Sequence, residues 1–432
     1  MAEPHLPSAV LIALRPGPGG WEAACWHHRA GQRVRGDVWC FPDLEAAPDA
    51  PALRCGGWTT PPFAPARPEV QPFLACEPSG AALPAAPAGV DRVEWLAPAE
   101  LLARWRADQA LLEPWTRAAL EALAGLAPGA GPEAARQALQ AALSPGGGEW
   151  PSIELVPGLR VVPLHTPTLP PATHTNCFLV GDGSELVVID AASPWPEEQA
   201  RLEGVLLGLF AEGRRVRELL LTHHHPDHSG GTAALAARLG VPVVAHARTR
   251  ELLRGRVEVT REVQDGEAIE LPADRPGARP RRLRAHLLEG HADGHLVFHE
   301  EVTNQVIAGD MVAGTGTILI DPPEGKMALY LRSLERLGDL GAALLYPAHG
   351  PPIGDPARLA RDYVTHRLMR EAKVLRAVEL GAGSIPELVP RAYDDTPPVL
   401  WPLAARSLLA HLEKLLSEGR VTRAGEVWSR RT

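Results

Sequence analysis

No run of 18 or more apolar residues occurs anywhere in the 432-residue chain, so no segment reads as a membrane-spanning helix. The opening Met1-Ala2-Glu3-Pro4-His5 carries no basic cluster ahead of its short apolar stretch. That argues against a secretory signal and sets the expectation of a cytoplasmic protein without a membrane partner. Cysteine is scarce: five in the whole chain exclude a disulfide framework. Cys25, Cys40, Cys55 and Cys76 show no CxxC pair and read as reduced core or surface thiols, not as a four-cysteine zinc site. Lysine is scarcer still, since 40 of the 43 basic residues are arginine. With the excess of alanine, glycine and proline, that reads as coding bias and not as a phosphate-binding signal. The last 80 residues offer no aromatic-rich surface on which bases could stack.

Much is nevertheless present. Hydrophobic residues make up 45% of the chain, enough for sizeable cores, and the length suggests two to four domains of roughly 150 residues each. The net charge of −9 divides unevenly, −4 over residues 1–148, −8 over 149–350 and +3 over 351–432. Only the last segment could attract a polyanion by its net charge. Residues 125–151 are rich in glycine and proline at both ends, with a short helical stretch between, about Glu133 to Leu143. Such composition marks a domain boundary, and Gly350-Pro351-Pro352 marks a softer one.

Beyond the first boundary, apolar runs alternate with helical patterns. Cys177–Val180 and Leu186–Ile189 read as paired strands around Gly181-Asp182-Gly183. Glu197 to Phe210 reads as a helix, Glu218–Leu221 as a buried strand, Gly231 to Leu239 as a helix, and Val241 to Ala245 as a strand. A strand at Asn304–Ala308 and a helix at Leu329–Leu340 follow. This alternation predicts sheets covered by helices. Near the end, Ser384-Ile385-Pro386-Glu387 is a capping box, Leu408, Leu412, Leu415 and Leu416 form a helical stripe, and Val421 to Trp428 suits a small hairpin. Helices followed by a hairpin suggest a winged helix.

The chemistry concentrates in Thr222-His223-His224-His225-Pro226-Asp227-His228, directly after a buried strand. Burying so many polar groups at a strand's end is costly unless something pairs with them, and imidazole with carboxylate is a ligand set that suits zinc. Three further elements place ligands where apolar stretches meet loops: Gly290-His291-Ala292-Asp293-Gly294-His295, Gly309-Asp310 and Pro347-Ala348-His349-Gly350. By alternation His224 points away from His223 and His225, which suits a supporting role.

These four motifs together resemble the metallo-β-lactamase fold superfamily, over about residues 151–350. The resemblance implies a four-layer αββα fold of the α/β class and two divalent metal ions, zinc foremost, with manganese or iron as alternatives. His223, His225 and His291 would hold the first ion, Asp227, His228 and His349 the second, and Asp310 would bridge them. His295 would stay outside the ligand set, and Asp190 would orient ligand histidines. His174 reads as a solvated loop residue bordering the site.

Further motifs, Tyr363-Val364-Thr365-His366-Arg367-Leu368-Met369-Arg370-Glu371, Tyr393-Asp394-Asp395-Thr396-Pro397 and Ala410-His411-Leu412-Glu413-Lys414-Leu415, with Gly314-Thr315-Gly316-Thr317, are similar to the β-lactamase-like protein 2 group, which adds a winged-helix-like tail. Ala9–Leu14, Trp21–His28, Trp58–Phe63, Pro72–Ala75 and Glu94–Leu102 resemble a Nudix domain of α+β class that has lost its glutamate-rich helix, since only Glu45 stands between Phe41 and Trp58. The expected division is thus 1–126 Nudix-like, 127–150 linker, 151–350 catalytic and 351–432 winged-helix-like.

The function this implies is hydrolysis of a small ester, thioester or lactone by a metal-bridging hydroxide, with Asp227 as the catalytic carboxylate. The alternative is cleavage of single-stranded RNA at the same site, the activity the animal member of the group implies. Arg275, Arg279, Arg281, Arg282 and Arg284 would then serve as a local basic run, against the −8 of the surrounding domain. His366, Arg367 and Arg370 read as helix surface or interdomain ion pairs. The N-terminal segment could shape the pocket, form a homodimer or bind a ligand. A non-catalytic binding module has no use for so complete a ligand set.

Overall fold

Two β-sheets carry the middle of the chain in the computed structural model, which describes residues 9–28, 38–41, 43–44, 53–55, 57–59, 69–76, 90–144 and 150–431. The first sheet has seven strands in sequence order: Ile153–Val156, Leu159–His165, His174–Val180, Glu185–Ile189, Arg215–Leu220, Val243–Ala245 and Arg261–Glu262. Its first four strands pair antiparallel and the remainder parallel. Parallel neighbours require crossovers, and the helices Pro196–Ala211 and Thr232–Leu239 supply them. The second sheet runs Ala268–Leu271, Arg281–Leu287, Leu296–Glu300, Gln305–Gly309 and Leu344–Pro347. Its last pair is parallel, and helix Met327–Asp339 lies in the connection between those two strands.

Side-chain alternation along the strands stacks these layers. Phe178, Val180, Val187, Ile189 and Leu220 of the first sheet share a core with Ile269, Leu283, Phe298 and Ile307 of the second. On the opposite faces, Leu179, Val188 and Leu219 meet Leu202, Leu206 and Leu209 of helix Pro196–Ala211. Val297, Val306 and Leu345 likewise meet Leu331, Leu334 and Leu337 of helix Met327–Asp339. The result is helix, sheet, sheet, helix. Both faces of the inner strands are buried, which is why Leu186-Val187-Val188-Ile189 is a continuous apolar run and not an alternating one. Leu334 is inaccessible to solvent, so truncating it to alanine should cost about 2–5 kcal/mol.

Helix Pro356–Glu379 leads out of this body. Asp355 caps its start by accepting from the Arg358 N–H at 3.1 Å. Leu359, Tyr363 and Val364 pack against the core between the second sheet and helix Met327–Asp339. Val374, Ala377 and Val378, further along, join helices Ile385–Ala392 and Trp401–Ser417 and the hairpin Val421–Ala424 with Val427–Arg430. Trp428 closes that small core. The Ser384–Glu387 capping box forms, the Ser384 N–H donating to Glu387 Oε2 at 2.7 Å.

In the N-terminal unit, strands Ala9–Gly17 and Glu69–Cys76 pair parallel, Ala9–Gly17 and Gly20–His28 pair antiparallel, and helices Pro98–Arg106 and Pro114–Ala124 follow. Helix Pro132–Ala142, within the stretch read as a linker, buries Ala135 and Leu139 in this unit's core. Glu45 and residues 60–63, part of the Nudix comparison, lie outside the described residues.

Four of the five arginines in the run, Arg279, Arg281, Arg282 and Arg284, are engaged in ion pairs. Arg281 is 1% exposed and pairs with Asp108 at 3.2 Å and Glu300 at 3.7 Å, and it donates to the Pro157 carbonyl at 2.6 Å. Arg279 also pairs with Asp108, Arg282 with Glu270 and Glu301, and Arg284 with Glu301. These four therefore tie the second sheet to its own edge and to the N-terminal unit. Among the described residues no helix is long and apolar enough to cross a membrane.

Candidate metal centre

The site forms where four strand ends meet. Strand Glu185–Ile189 ends at Asp190, whose backbone takes the left-handed conformation, φ 55°. Aspartate tolerates that region better than most residues because its short carboxylate bonds locally. Here the buried carboxylate accepts from Thr222 N at 2.8 Å, Thr222 Oγ1 at 2.6 Å and His228 Nδ1 at 2.8 Å. The neighbouring strand Arg215–Leu220 thereby delivers Thr222 and His223 in a fixed position. His225 then begins the short helix Pro226–Ser229, which carries Asp227 and His228.

The other histidines are oriented the same way, each through one ring nitrogen. His291 Nδ1 faces the Leu319 carbonyl at 3.0 Å, and His349 Nδ1 the His174 carbonyl at 3.0 Å. His223 Nδ1 faces Thr222 Oγ1 at 3.0 Å, whose own proton goes to Asp190. Each of these contacts needs the proton on Nδ1. The Nε2 lone pairs are left to converge. His223 Nε2 lies 2.9 Å and His291 Nε2 3.1 Å from His225 Nδ1. Asp310 Oδ2 lies 3.4 Å from His291 Nε2, and its Oδ1 lies 3.4 Å from His228 Nε2 and 3.3 Å from His349 Nε2. Asp227 Oδ2 sits 3.6 Å from His349 Nε2.

Among the described residues three groups of donor atoms result, each within 4.8 Å: His223, His225, His291 and Asp310; beside it Asp227, His228 and His349; and, sharing His225, His224 with Glu324. The first two, joined by Asp310, form the centre. The two Asp310 oxygens address one group each. His228 Nε2 and Asp310 Oδ1 are buried without a hydrogen-bond partner. Lone pairs facing lone pairs in a buried site are costly unless a cation lies between them. The residues present therefore fit a pair of divalent ions. Burial holds the His223 imidazole well below its usual pKa and His291 down to about 4, so both are neutral donors at pH 7. Burial also opposes protonation of His228, but the Asp310 and Asp190 carboxylates outweigh it and raise its pKa.

All seven residues expected as ligands are thus brought together. His224 turns away, its Nδ1 3.5 Å from Glu324 Oε1. His295 Nε2 accepts the Asp310 N–H at 3.0 Å and so fixes the backbone that carries the central carboxylate. His174 is not in a loop; it begins a strand, and its carbonyl orients His349. Both groups open into one cavity of about 270 Å³. Thr168, Leu169, Thr315, Gly316, Ile318 and Leu319 form its walls. Two of its residues escape a reading of the sequence, Glu324 from a proline-rich turn and Arg406 from helix Trp401–Ser417 of the C-terminal unit. Arg367 is not a surface residue: it is buried, donates to the Ile318 carbonyl and lies 5.5 Å from the Tyr330 ring centre. Tyr363 grips Ala313 through its N–H at 3.0 Å and its carbonyl at 3.1 Å. Helix Pro356–Glu379 thus braces the cavity wall.

Comparison with known proteins agrees with this geometry. Residues 170–349 match the metallo-beta-lactamase superfamily model, and residues 384–428 match the beta-lactamase associated winged helix domain. A lactamase-like protein, adaB, from Aspergillus niger is 30% identical over 272 residues, covering 60% of this chain and 80% of its own. A beta-lactamase-like protein 2 homolog from Drosophila melanogaster is 28% identical, covering 57% and 84%. An atrochrysone carboxyl ACP thioesterase from Aspergillus chevalieri is 29% identical, covering 49% and 64%. The crystal structure of a metallo-beta-lactamase family protein from Thermus thermophilus is 29% identical with a TM-score of 0.52, covering 64% of this chain and all of that one. The chain belongs to the metallo-β-lactamase superfamily, whose members are hydrolases and whose fold binds divalent metal ions, typically two. Within it, the appended winged helix and the similarity to beta-lactamase-like protein 2 homologues mark the branch.

Proposed function

We propose that the chain hydrolyses a small ester, thioester or lactone with two divalent metal ions, zinc foremost. One observation carries the reading: both donor groups open into a single cavity of about 270 Å³. Drug-sized ligands occupy roughly 300–1,000 Å³, so this space suits an acyl group of modest size. Arg406 is the one arginine or lysine among the described lining residues, against Asp227, Asp310, Asp321 and Glu324. Beyond the charge of the ions themselves, a nucleic-acid strand needs several basic side chains along its path, and the lining supplies one. The similarity to a protein named as an acyl-carrier thioesterase supports the acyl reading.

In this reading His223, His225, His291 and Asp310 would hold one ion, and Asp227, His228 and His349, with Asp310, would hold the other. When bound, such a pair acidifies water toward a pKa of about 7 and stabilises a developing oxyanion. The chain's own groups do the rest. Asp227, on the cavity wall, accepts a hydrogen bond from the attacking water and sets its direction. Leu169, Ala172, Ile318 and Leu319 exclude competing solvent around the acyl carbon. Asp190, Leu319, His174 and Thr222 keep the histidines oriented. The N-terminal unit is read as a Nudix-like domain without diphosphatase chemistry.

The test is a substrate panel of acyl thioesters, aryl esters, lactones and fluorescent single-stranded RNA, offered to one metal-loaded preparation. The expected result is turnover of an acyl substrate, stopped by a chelator and restored by added zinc, with RNA intact. Chelator-sensitive RNA cleavage with every acyl substrate inert would overturn the proposal in favour of an endoribonuclease.

A further inference from the structure

Two carboxylates on the cavity wall, Asp321 and Glu324, lie outside the two donor groups that Asp310 joins, and Glu324 is the one that faces a ligand histidine. Glu324 sits in the turn Asp321-Pro322-Pro323-Glu324-Gly325, which the Gly325 N–H closes on the Asp321 carbonyl at 2.8 Å. The turn is tight: a Cβ added at Gly325 would stand 2.2 Å from Asp321 N. Glu324 Oε1 accepts from Asp293 N at 3.0 Å, which ties the turn to the loop carrying His291. The same oxygen lies 3.5 Å from His224 Nδ1, and Oε2 lies 3.7 Å from His225 Nε2.

His225 differs from its four fellow histidines. His223, His228, His291 and His349 turn Nδ1 outward to a fixed acceptor and present Nε2 to the centre. His225 presents Nδ1, the atom 2.9 and 3.1 Å from the Nε2 atoms of His223 and His291. Its proton must therefore sit on Nε2, and Nε2 must face an acceptor. The carboxylate it faces is Glu324.

We propose that Glu324 is the positioning residue for His225, fixing the Nε2–H tautomer so that the Nδ1 lone pair points at the first metal ion. The inference rests on the two-metal reading of the site. The other Glu324 oxygen is held by the Asp293 N–H and lies 3.5 Å from His224 Nδ1, which fixes the carboxylate from its far side. Partners of this kind raise ligand basicity, and their loss typically weakens metal binding about 10–100-fold.

The experiment is zinc titration of the chelator-stripped full chain as wild type, Glu324→Gln and Glu324→Ala, each with and without His225→Ala. Melting of the metal-free protein is followed in parallel. Glu324→Ala should weaken one of two zinc ions about 10–100-fold and leave the other unchanged, while the metal-free melting temperature falls only by what the lost Asp293 N–H bond accounts for. Glu324→Gln keeps an acceptor oxygen and should lose less. In the His225→Ala background the effect of Glu324→Ala should vanish. Unchanged affinity for both ions in Glu324→Ala would overturn the proposal while leaving the two-metal site standing. Three zinc ions in the wild type and two in Glu324→Ala would overturn it also, by making Glu324 a ligand with His224 and His225. A wild type that binds no zinc would instead overturn the two-metal reading itself.

Discussion

Replacing Asp190 should damage fold and metal centre together, by an amount the contacts allow to be worked out. The carboxylate is inaccessible and accepts three hydrogen bonds, from Thr222 N, Thr222 Oγ1 and His228 Nδ1. Hydrogen bonds to a charged group are worth about 1.5–3 kcal/mol each, and a buried donor left without an acceptor costs about 1–3 kcal/mol. In Asp190→Ala the Thr222 N–H is stranded. His228 Nδ1 retains Thr222 Oγ1 as a nearby acceptor at 3.4 Å, which recovers part of the loss. Alanine at φ 55° adds about 1–2 kcal/mol of backbone strain. The stranded N–H, a partly recovered His228 contact and the strain together come to about 3–7 kcal/mol, a large share of the roughly 5–15 kcal/mol that keeps a domain folded. Asparagine tolerates the backbone but sets an amide N–H₂ against donors. Asp190→Asn should therefore cost about 2–3 kcal/mol and weaken zinc binding about 10–100-fold. Guanidinium unfolding of the metal-free protein and a competitive zinc titration read the two effects separately. An Asp190→Asn protein within about 0.5 kcal/mol of wild type and with unchanged zinc affinity would refute the reasoning.

Other consequences follow from contacts between the units. Asp108→Ala leaves the buried Arg281 with the Pro157 carbonyl and, as its remaining carboxylate, Glu300 at 3.7 Å, and should cost about 3 kcal/mol, near the low end for breaking a buried pair. Denaturant unfolding checks it, with earlier proteolysis of the N-terminal unit expected. Arg406→Ala removes a half-exposed pair with Asp321, worth about 0–1 kcal/mol, so stability and metal content should hold. If Arg406 also contacts substrate, KM should rise about fivefold, the equivalent of about 1 kcal/mol, and unchanged kinetics would remove the C-terminal unit from substrate binding. Burial opposes ionisation of Glu371, but His411 and Lys414 outweigh it and hold its pKa below the usual carboxylate range. A depressed pKa contributes stability that is present above the unfolded-state value and lost as pH falls through the folded-state one. The stability gap between wild type and Glu371→Gln should therefore be widest near pH 7 and close on acidification; a gap that stays constant would contradict this.

The parts legible in the sequence share a cause. Thr222 to His228 follows a strand whose burial on both faces leaves a continuous apolar run, so the polar cluster at its end stands out. His291, Asp310 and His349 sit at equivalent ends, which is why the ligand set can be assembled before its geometry is known. The rest depends on partners far away in the chain. Arg281 looks like one of five exposed arginines until Asp108, 173 residues earlier, is placed beside it. Arg367 reads as helix surface because its acceptor, the Ile318 carbonyl, belongs to another unit. Glu324 gives no signal beyond an acidic residue in a Pro-Pro-Glu-Gly turn, and His174 looks solvated because the strand it opens begins with polar residues.

The central claim is that seven side chains hold two metal ions through a shared Asp310. Elemental analysis of the purified full chain, beside Asp310→Ala, tests it most directly. The account predicts about two divalent ions per wild-type chain, a loss of at least one in Asp310→Ala, and hydrolysis abolished with it. Full turnover by Asp310→Ala, or a wild type that takes up fewer than one ion even after reconstitution, would contradict it.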